Sequence, residues 1–581
     1  MGNFFLIDQS LRSLGGHHFD YSNLVARSAG QAGYRVVVGT NRKFREPETL
    51  GDFEVRNRFR YTTYAACSRL TGIRDMVAHR KKGLLARLGS AVRFGSDSLN
   101  ESCSREQRIN SFRDDCESFF SEPLQSGDIV FFTTLSDLEA EGLARFISSR
   151  EDACLAHWHL QFHFPIFRGR TAAYALQQPM LDAIREPLGH LQDTGADMHF
   201  YVTSETLRDQ YLQTGFQFES LPYPVHPGLK RPAGVGSGTK LSARVSFAGA
   251  VRKEKGAGKI ESIMNEIREQ HGQSVRFGIQ KKRPKLVSRL FSRFSAQQSP
   301  DPSLEVYTYP LNAEQYHDFI RDTDIGLLTT YDSETYFSRR AGILGEYLTA
   351  GVPVIVPGGS WLSDQVERVQ QAYLQGLLQQ GSQASVRLQP KKVTHHSTGK
   401  TLVRFEPDGS GACSGYSHNL VVLEFRVAQP SAHGNYFHVS CSQSAIIDRR
   451  LEKQLIGQDR SGSSRLVPFY VPPGSTCLEF ELEPAFGVRE WEVKNLGATL
   501  LAGEQPIPRS CVGLVAADTS QTAALTGELI RQYGHYRKSA AEYSGEWYSH
   551  HDPARTLATL MENSHSCHQQ PCHQQPTEKA A

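Results

Sequence analysis

The chain has 581 residues, 64 of them basic and 61 acidic, for a net charge of +3. That length exceeds a single hydrophobic core and predicts about three or four domains, and the near balance of charge gives no general argument for a nucleic-acid partner. Hydrophobic residues make up 39%, no apolar run reaches the roughly 18 residues of a membrane span, and ten scattered cysteines fit reduced thiols in a cytoplasmic protein.

In chain order, residues 4–8 read as a first strand rather than a signal peptide, since no basic segment precedes an apolar one. Leu6 stands where a myristoylation signal needs Ser or Thr. A loop with Gly15 and Gly16 follows, then a helix over 18–33 and a strand over 35–39. This is a βαβ start with glycines at the carboxyl end of the first strand. Residues 56–120 read as helical. Within them, residues 80–94 interleave Leu84, Leu85, Leu88, Val92 and Phe94 with Arg80, Lys81, Lys82, Arg87 and Arg93. Such a basic amphipathic helix lies peripherally on an anionic membrane or packs on its own domain. Further strands are predicted at 129–133, 154–157 and 201–204. His157 and His159, in AHWHLQFHF at a strand end, are candidates to orient a ligand; their alternative is a structural role beside Trp158.

Residues 228–242 have linker composition. A second α/β region begins at 245–249 and alternates helix and strand up to DIGLLTTYDSETYFSRRAGILGEYLTAGVPVIVPGGSW, residues 324–361. That segment reads as strand, turn, helix, strand and turn, with Glu346 inside the helix and an apolar strand at 352–357. Ligands of open α/β sheets bind at strand carboxyl ends, so Glu346 is placed to accept hydrogen bonds from a ribose; the alternative is a structural βαβ unit with a solvated glutamate. Arg252 and Lys255 lie three apart after a strand and can converge on a diphosphate, the arginine bidentately and the lysine as a point charge. From about residue 391 helix-period patterns vanish; alternating stretches at 420–427, 436–440, 465–471, 477–482 and 491–494 predict an inserted all-β domain, a sandwich. Tyr416, Tyr436 and Trp491 there read equally as exposed or core aromatics. α/β texture returns at 513–516 and in helices over 519–534 and 535–548. The terminal CHQQP repeats read as a disordered tail rather than a metal site.

This layout resembles the GT-B glycosyltransferases. FAGAVRKEKG (247–256) resembles the family 4 pattern of a strand ending in glycine followed by Arg, Lys and Gly, matched by Gly249, Arg252, Lys255 and Gly256. The 324–361 segment resembles that family's acidic helix and following turn, matched by Glu346, Gly351, Pro353 and Val354; residues 511–525 and 537–553 resemble its closing stretches. The family usually carries two glutamates eight positions apart, and Ser338 stands at the first; Tyr336, Arg340 and Gly342 fit a variant of the pattern.

The resemblance implies an α/β chain of GT-B type, two Rossmann-like domains facing across a cleft, with an all-β insertion in the second. Expected boundaries are 1–227 (acceptor side), a linker at 228–242, 243–384 with 509–545 (donor side), the insertion at 385–508, a closing helix at 546–564 and a tail at 565–581. It implies a retaining, metal-independent cytoplasmic transferase that uses a nucleotide sugar as donor substrate, needs no cofactor and glycosylates a glycan, lipid-linked or small-molecule acceptor. Arg252, Lys255 and His157 are the implied catalytic residues. Gly15, Gly16, Gly249, Arg340, Gly342 and Glu346 are the implied donor contacts, and His159 and Ser338 the acceptor or sugar contacts. A non-catalytic sugar-nucleotide or glycan binder and a nucleotide-sugar epimerase are the alternatives.

Overall fold

The computed structural model describes residues 2–14, 17–64, 104–167, 177–231, 242–249, 255–282, 303–309, 311–380, 384–397, 399–406, 418–428, 436–442, 451, 453–457, 463–473, 475, 477–486 and 491–566. The helix expected at 80–94, the terminal repeats, Tyr416, Arg252, Gly15 and Gly16 lie outside these residues. The chain forms two compact units: Met1–Phe167, Leu176–His226 and His550–Ala581 make the first, and Pro227–Ser549 is the bulk of the second.

The first unit is built on a seven-stranded parallel sheet, β1 (Asn3–Asp8), β2 (Arg35–Asn41), β3 (Glu54–Phe59), β4 (Ile129–Leu135), β5 (His157–Phe162), β6 (Asp197–Val202) and β7 (Glu219–Ser220), in the order 3-2-1-4-5-6-7. β4 is buried at every position and β1 at all but its first, as strands covered on both faces must be. The helix Pro553–Ser566 belongs to this unit and packs on the helix His17–Gln31. Two local expectations change. The helix expected from residue 56 does not start there: residues 54–59 are a strand, because Val55 and Phe59 pair into the sheet edge beside β2. The strand expected at 154–157 is displaced: Glu151–Leu155 is a 3-10 turn, and the strand begins where Trp158 and Leu160 can be buried between neighbours.

The second unit holds a six-stranded parallel sheet of β8 (Ala243–Phe247), β9 (Val275–Lys282), β10 (Leu304–Tyr309), β11 (Ile325–Leu327), β12 (Val354–Pro357) and, far on in the chain, β22 (Gly513–Ala516). Its order, β10-β9-β8-β11-β12-β22, again reverses beside its first strand. Both sheets therefore follow the dinucleotide-type order 3-2-1-4-5-6.

Between the helix Trp361–Gln379 and β22 come, among the described residues, nine antiparallel strands: β13 (Ala384–Leu388), β14 (Pro390–His395), β15 (Thr401–Phe405), β16 (His418–Ala428), β17 (Tyr436–Cys441), β18 (Lys453–Gly457), β19 (Arg465–Val471), β20 (Leu478–Pro484) and β21 (Glu492–Gly503). They form a sheet of order β13-β21-β16-β19 and another of order β14-β15-β20-β17-β18, whose inner faces share one core including Phe405, Val421, Phe437, Phe469 and Phe480. Two parallel α/β sheets with an antiparallel insertion in the second unit are the fold class the sequence predicts.

The insertion is docked on its host. The helix Trp361–Gln379 starts at a Ser360–Ser363 capping box. Its Gln371 side chain bonds both the N–H and the carbonyl of Leu466 at 2.8 Å, imitating a strand neighbour for β19. Leu374 joins Leu420, Val422, Leu466 and Leu501 in a separate apolar cluster on the outer face of the four-stranded sheet. Trp491 packs on Phe437 with ring centroids 4.9 Å apart and donates its indole N–H to Gly399. Tyr436 is 4% exposed and donates its hydroxyl to Asp364 at 3.1 Å. Neither aromatic is a solvent-facing platform for a sugar. Among the described residues no helix is long and apolar enough to cross a membrane.

Candidate functional site

In an open α/β sheet the ligand crevice lies outside the carboxyl ends of the strands where the order reverses. In the second unit those strands are β8 and β11. A small pocket there is lined by Phe247, Ala248, Gly249, Lys255, Ile260, Leu327, Thr330 and Tyr331. Gly256 lets the two loops touch: it has a φ of +72°, and a side chain there would overlap the Thr330 carbonyl. The Thr330 hydroxyl donates to the Lys255 carbonyl at 2.7 Å. The Lys255 ammonium lies 5.2 Å from the centre of the Tyr331 ring, and a Cβ on Gly249 would come within 2.8 Å of its Nζ. Gly249 donates its N–H to Gln280.

Glu346 is carried to the same place by the helix Gly342–Thr349. Tyr347, fully buried beside it, donates its hydroxyl to the Ser246 carbonyl at 3.1 Å. Any side chain at Gly326 would meet the Tyr347 ring at 2.7 Å, so the bare backbone of β11 lets this helix sit flush on the sheet. The Tyr316 hydroxyl donates to Glu346 Oε2. Burial raises the Glu346 pKa, while the Tyr316 hydrogen bond and the positive charge of Lys255 pull it back towards the carboxylate. Gly249, Lys255 and Glu346, predicted from separate motifs, are thus brought together.

Gly342 opens that helix, and the preceding loop holds Ser338 and Arg340. Ser338 is only 3% exposed. The Arg340 guanidinium stacks 5.2 Å above the Trp361 indole, and the main-chain N–H of Trp361 donates to the Tyr336 carbonyl at 2.9 Å, which pins the loop to the helix that follows β12.

The two histidines proposed from AHWHLQFHF are corrected by the register. His157 is the first residue of β5, level with Ile129 and Asp197 at the amino ends of β4 and β6, opposite the ligand-binding edge. It pairs with Asp197 at 2.6 Å. His159 is fully buried between Tyr201 at 3.0 Å and Ser564 at 2.9 Å and stacks on His199, and burial holds its pKa well below the ordinary value. It is a core histidine that fastens the C-terminal helix to β5. The third imidazole of that run, His163, follows the carboxyl end of β5 and bonds Gln161 at 3.0 Å. Among the described residues no three His, Cys, Asp or Glu side chains converge as metal ligands.

The sequence reading passed over a pair at the carboxyl end of β1. Asp8, the last residue of the strand and 1% exposed, accepts from the Ser10 N–H at 3.0 Å and the Ser22 hydroxyl at 3.1 Å. It also contacts His18 Nδ1 at 2.9 Å, and His18 Nε2 lies 3.1 Å from the Tyr64 hydroxyl. Burial and a helix amino terminus both oppose an imidazolium here. The Asp8 carboxylate and Tyr64 outweigh burial and push the His18 pKa up to about 10. A polar residue closing an apolar strand, with a histidine ten positions on across a glycine loop, was the available signal.

Because that pKa is raised on folding, the pair stabilises the first unit fully below about 6.5 and loses its contribution as pH climbs through about 10. In an NMR titration the His18 ring is expected to stay protonated from about pH 5 to 8, and Asp8→Asn should bring its midpoint below about 6.5. A wild-type midpoint near 6.5 would refute the pairing.

No family model matches this sequence, and no curated protein matches it. Among solved structures, the OtsA apo structure is 11% identical, with 63% of this chain and 86% of that chain covered and a TM-score of 0.36. The N-terminal domain of Candida albicans trehalose-6-phosphate phosphatase is 12% identical over 63% and 85% of the two chains, with a TM-score of 0.41. Anabaena HepE in complex with UDP and glucose is 12% identical over 63% and 83%, with a TM-score of 0.36. The strand order of the chain itself, not these distant likenesses, establishes its two Rossmann-like sheets.

Proposed function

We propose that this protein is a glycosyltransferase whose second unit binds a nucleotide-sugar donor and passes the sugar, with retention and without a metal, to a glycan, lipid-linked or small-molecule acceptor. The observation that carries this reading is the meeting of Gly249, Lys255 and Glu346 at the carboxyl ends of β8 and β11. Lys255, with Arg252 three positions before it in the sequence, supplies positive charge to a diphosphate. That charge matters most as the sugar departs and negative charge grows on the leaving nucleoside diphosphate. Glu346, its pKa raised by burial and partly pulled back by Tyr316 and Lys255, accepts hydrogen bonds from the ribose hydroxyls. In the first unit, Asp8, His18 and Tyr64 offer the acceptor a polar edge with a fixed imidazolium.

One observation favours a second reading, a sugar-nucleotide binder without transfer: Ser338, where the related pattern has a carboxylate, is a buried neutral residue. A panel of UDP-glucose, GDP-mannose and ADP-glucose separates the two. Release of nucleoside diphosphate with simple sugar and glycan acceptors supports transfer. Tight binding without release supports the second reading, an epimerised sugar still attached to its nucleotide would mean neither is right, and no binding refutes the donor site.

A further inference from the structure

The loop 329–341 is bracketed by donor-site groups. Thr330 at its start bonds the Lys255 carbonyl, and Gly342 just after its end opens the helix that bears Glu346. Between them the loop makes an apolar contact that does not belong to the α/β sheet. Phe337, 4% exposed, clusters with Tyr436, Leu455 and Ala485 of the inserted β domain, with Phe486 and Ala517 packed alongside. The Phe337 and Tyr436 rings lie 6.3 Å apart and the Tyr436 and Phe486 rings 5.7 Å apart, both edge to face.

The insertion is braced for this contact. Tyr436 is fixed by its hydroxyl on Asp364 and by its carbonyl, which accepts the Ala485 N–H at 2.7 Å. Phe486 holds a left-handed φ of 56°, a conformation that bulky side chains rarely adopt, and this turns its ring onto Tyr436. β18 is clamped at both ends. The Lys453 carbonyl accepts from Gln521 at 2.8 Å, and the Gly457 N–H donates to Glu367 at 3.0 Å. A Cβ on Gly358, just past the carboxyl end of β12, would meet both the Ala516 carbonyl and Leu455 at 3.1 Å, so the insertion reaches down to the ligand-binding edge of the sheet.

We propose that the inserted β domain is a specificity element of the donor site: Tyr436, Leu455 and Phe486 grip Phe337 and thereby set the position of loop 329–341, and of Ser338 within it, against the sugar half of the donor. The inference rests on the donor-site reading above. It makes these three side chains positioning residues: they touch no ligand and act through Phe337. On that reading the nucleoside half of the donor faces Lys255 and Glu346, and the cluster around Phe337 includes neither, so the two halves of the ligand respond differently to a loosened grip.

The test is calorimetric titration of the full chain with UDP, GDP and ADP and with UDP-glucose, GDP-mannose and ADP-glucose, on the wild type, Phe337→Ala, Phe486→Ala and Tyr436→Phe, with the exposed outer-face variant Leu402→Ser as control. Affinity for the nucleoside diphosphate is expected to stay within about twofold, while affinity for its sugar form falls by about tenfold or more in Phe337→Ala and Phe486→Ala, since small displacements of a positioning group are costly. Retained nucleoside diphosphate binding doubles as the check that the second unit is folded. Should Phe337→Ala lose both, the less buried Phe486→Ala and the single-atom change Tyr436→Phe decide. Equal weakening of both ligands, or no weakening of either, in those two variants overturns the inference and leaves the donor site standing. Failure of the wild type to bind any of the six ligands overturns the donor site, and the inference with it.

Discussion

Lys255→Ala is expected to cut turnover of the donor by about 10²–10³-fold, the usual cost of removing one preorganised group from a developing negative charge. The effect falls on the rate rather than on ground-state affinity, because the charge on the bridging oxygen grows only as the sugar leaves. The variant should fold, since what ties residue 255 to Thr330 is its main-chain carbonyl, which alanine keeps. Glu346→Gln is expected to behave in the opposite way. Glutamine keeps an acceptor for the Tyr316 hydroxyl but loses the charge-assisted bonds to the ribose, about 1.5–3 kcal/mol, or roughly ten- to a hundredfold in affinity. Steady-state kinetics beside direct titration separate a kcat effect from a Kd effect. Wild-type values in both variants would place the donor elsewhere.

The second large effect is on stability. Arg509 and Glu528 form a bidentate pair, Nε to Oε1 at 2.8 Å and Nη2 to Oε2 at 2.7 Å, with 6% and 4% of their side-chain surface exposed. Burial works against the Arg509 charge, and the facing carboxylate more than restores it. The Arg509 carbonyl also accepts from Gln370, so the pair sits where the chain returns from the insertion to β22. Either single alanine variant leaves an uncompensated buried charge and is expected to cost about 3–5 kcal/mol, whereas Arg509→Met with Glu528→Leu should cost far less. Denaturant unfolding of the wild type, the two single alanine variants and the double alanine variant closes the cycle, with the Met/Leu protein measured beside it. Additive losses would mean the two side chains are not coupled.

Much of the α/β scaffold was legible in the sequence because strands buried on both faces announce themselves as short apolar runs. β1, β2, β4, β8 and β12 all lie within a few residues of where the pattern puts them. The inserted strands were legible as alternation where that alternation is strong, as in β20. β13, β14, β15 and β18 escaped notice. β14 is a largely exposed edge strand, β18 is the opposite edge of the same sheet, and among the described residues β13 pairs only with β21, more than a hundred positions on. Local pattern singles out Gly249 and Lys255 because they follow the end of a strand, and Glu346 because it is a carboxylate inside a short apolar helix before a buried strand.

The sequence by itself determined the kind of element at most positions, the placing of the glycines and charges that follow strands, and the break in texture where an all-β insertion begins. These depend on neighbours a few residues away. Only the tertiary structure decided which end of its strand a residue occupies and what it faces there. That put His157 at the amino edge and His159 in the core, although both look like site residues in AHWHLQFHF. It joined Asp8 to His18 and Tyr64, and it brought Tyr436 and Phe486 of the insertion onto Phe337, about a hundred and more positions away. Strand register and the packing of distant side chains arise from contacts across the whole fold, and no local period encodes them.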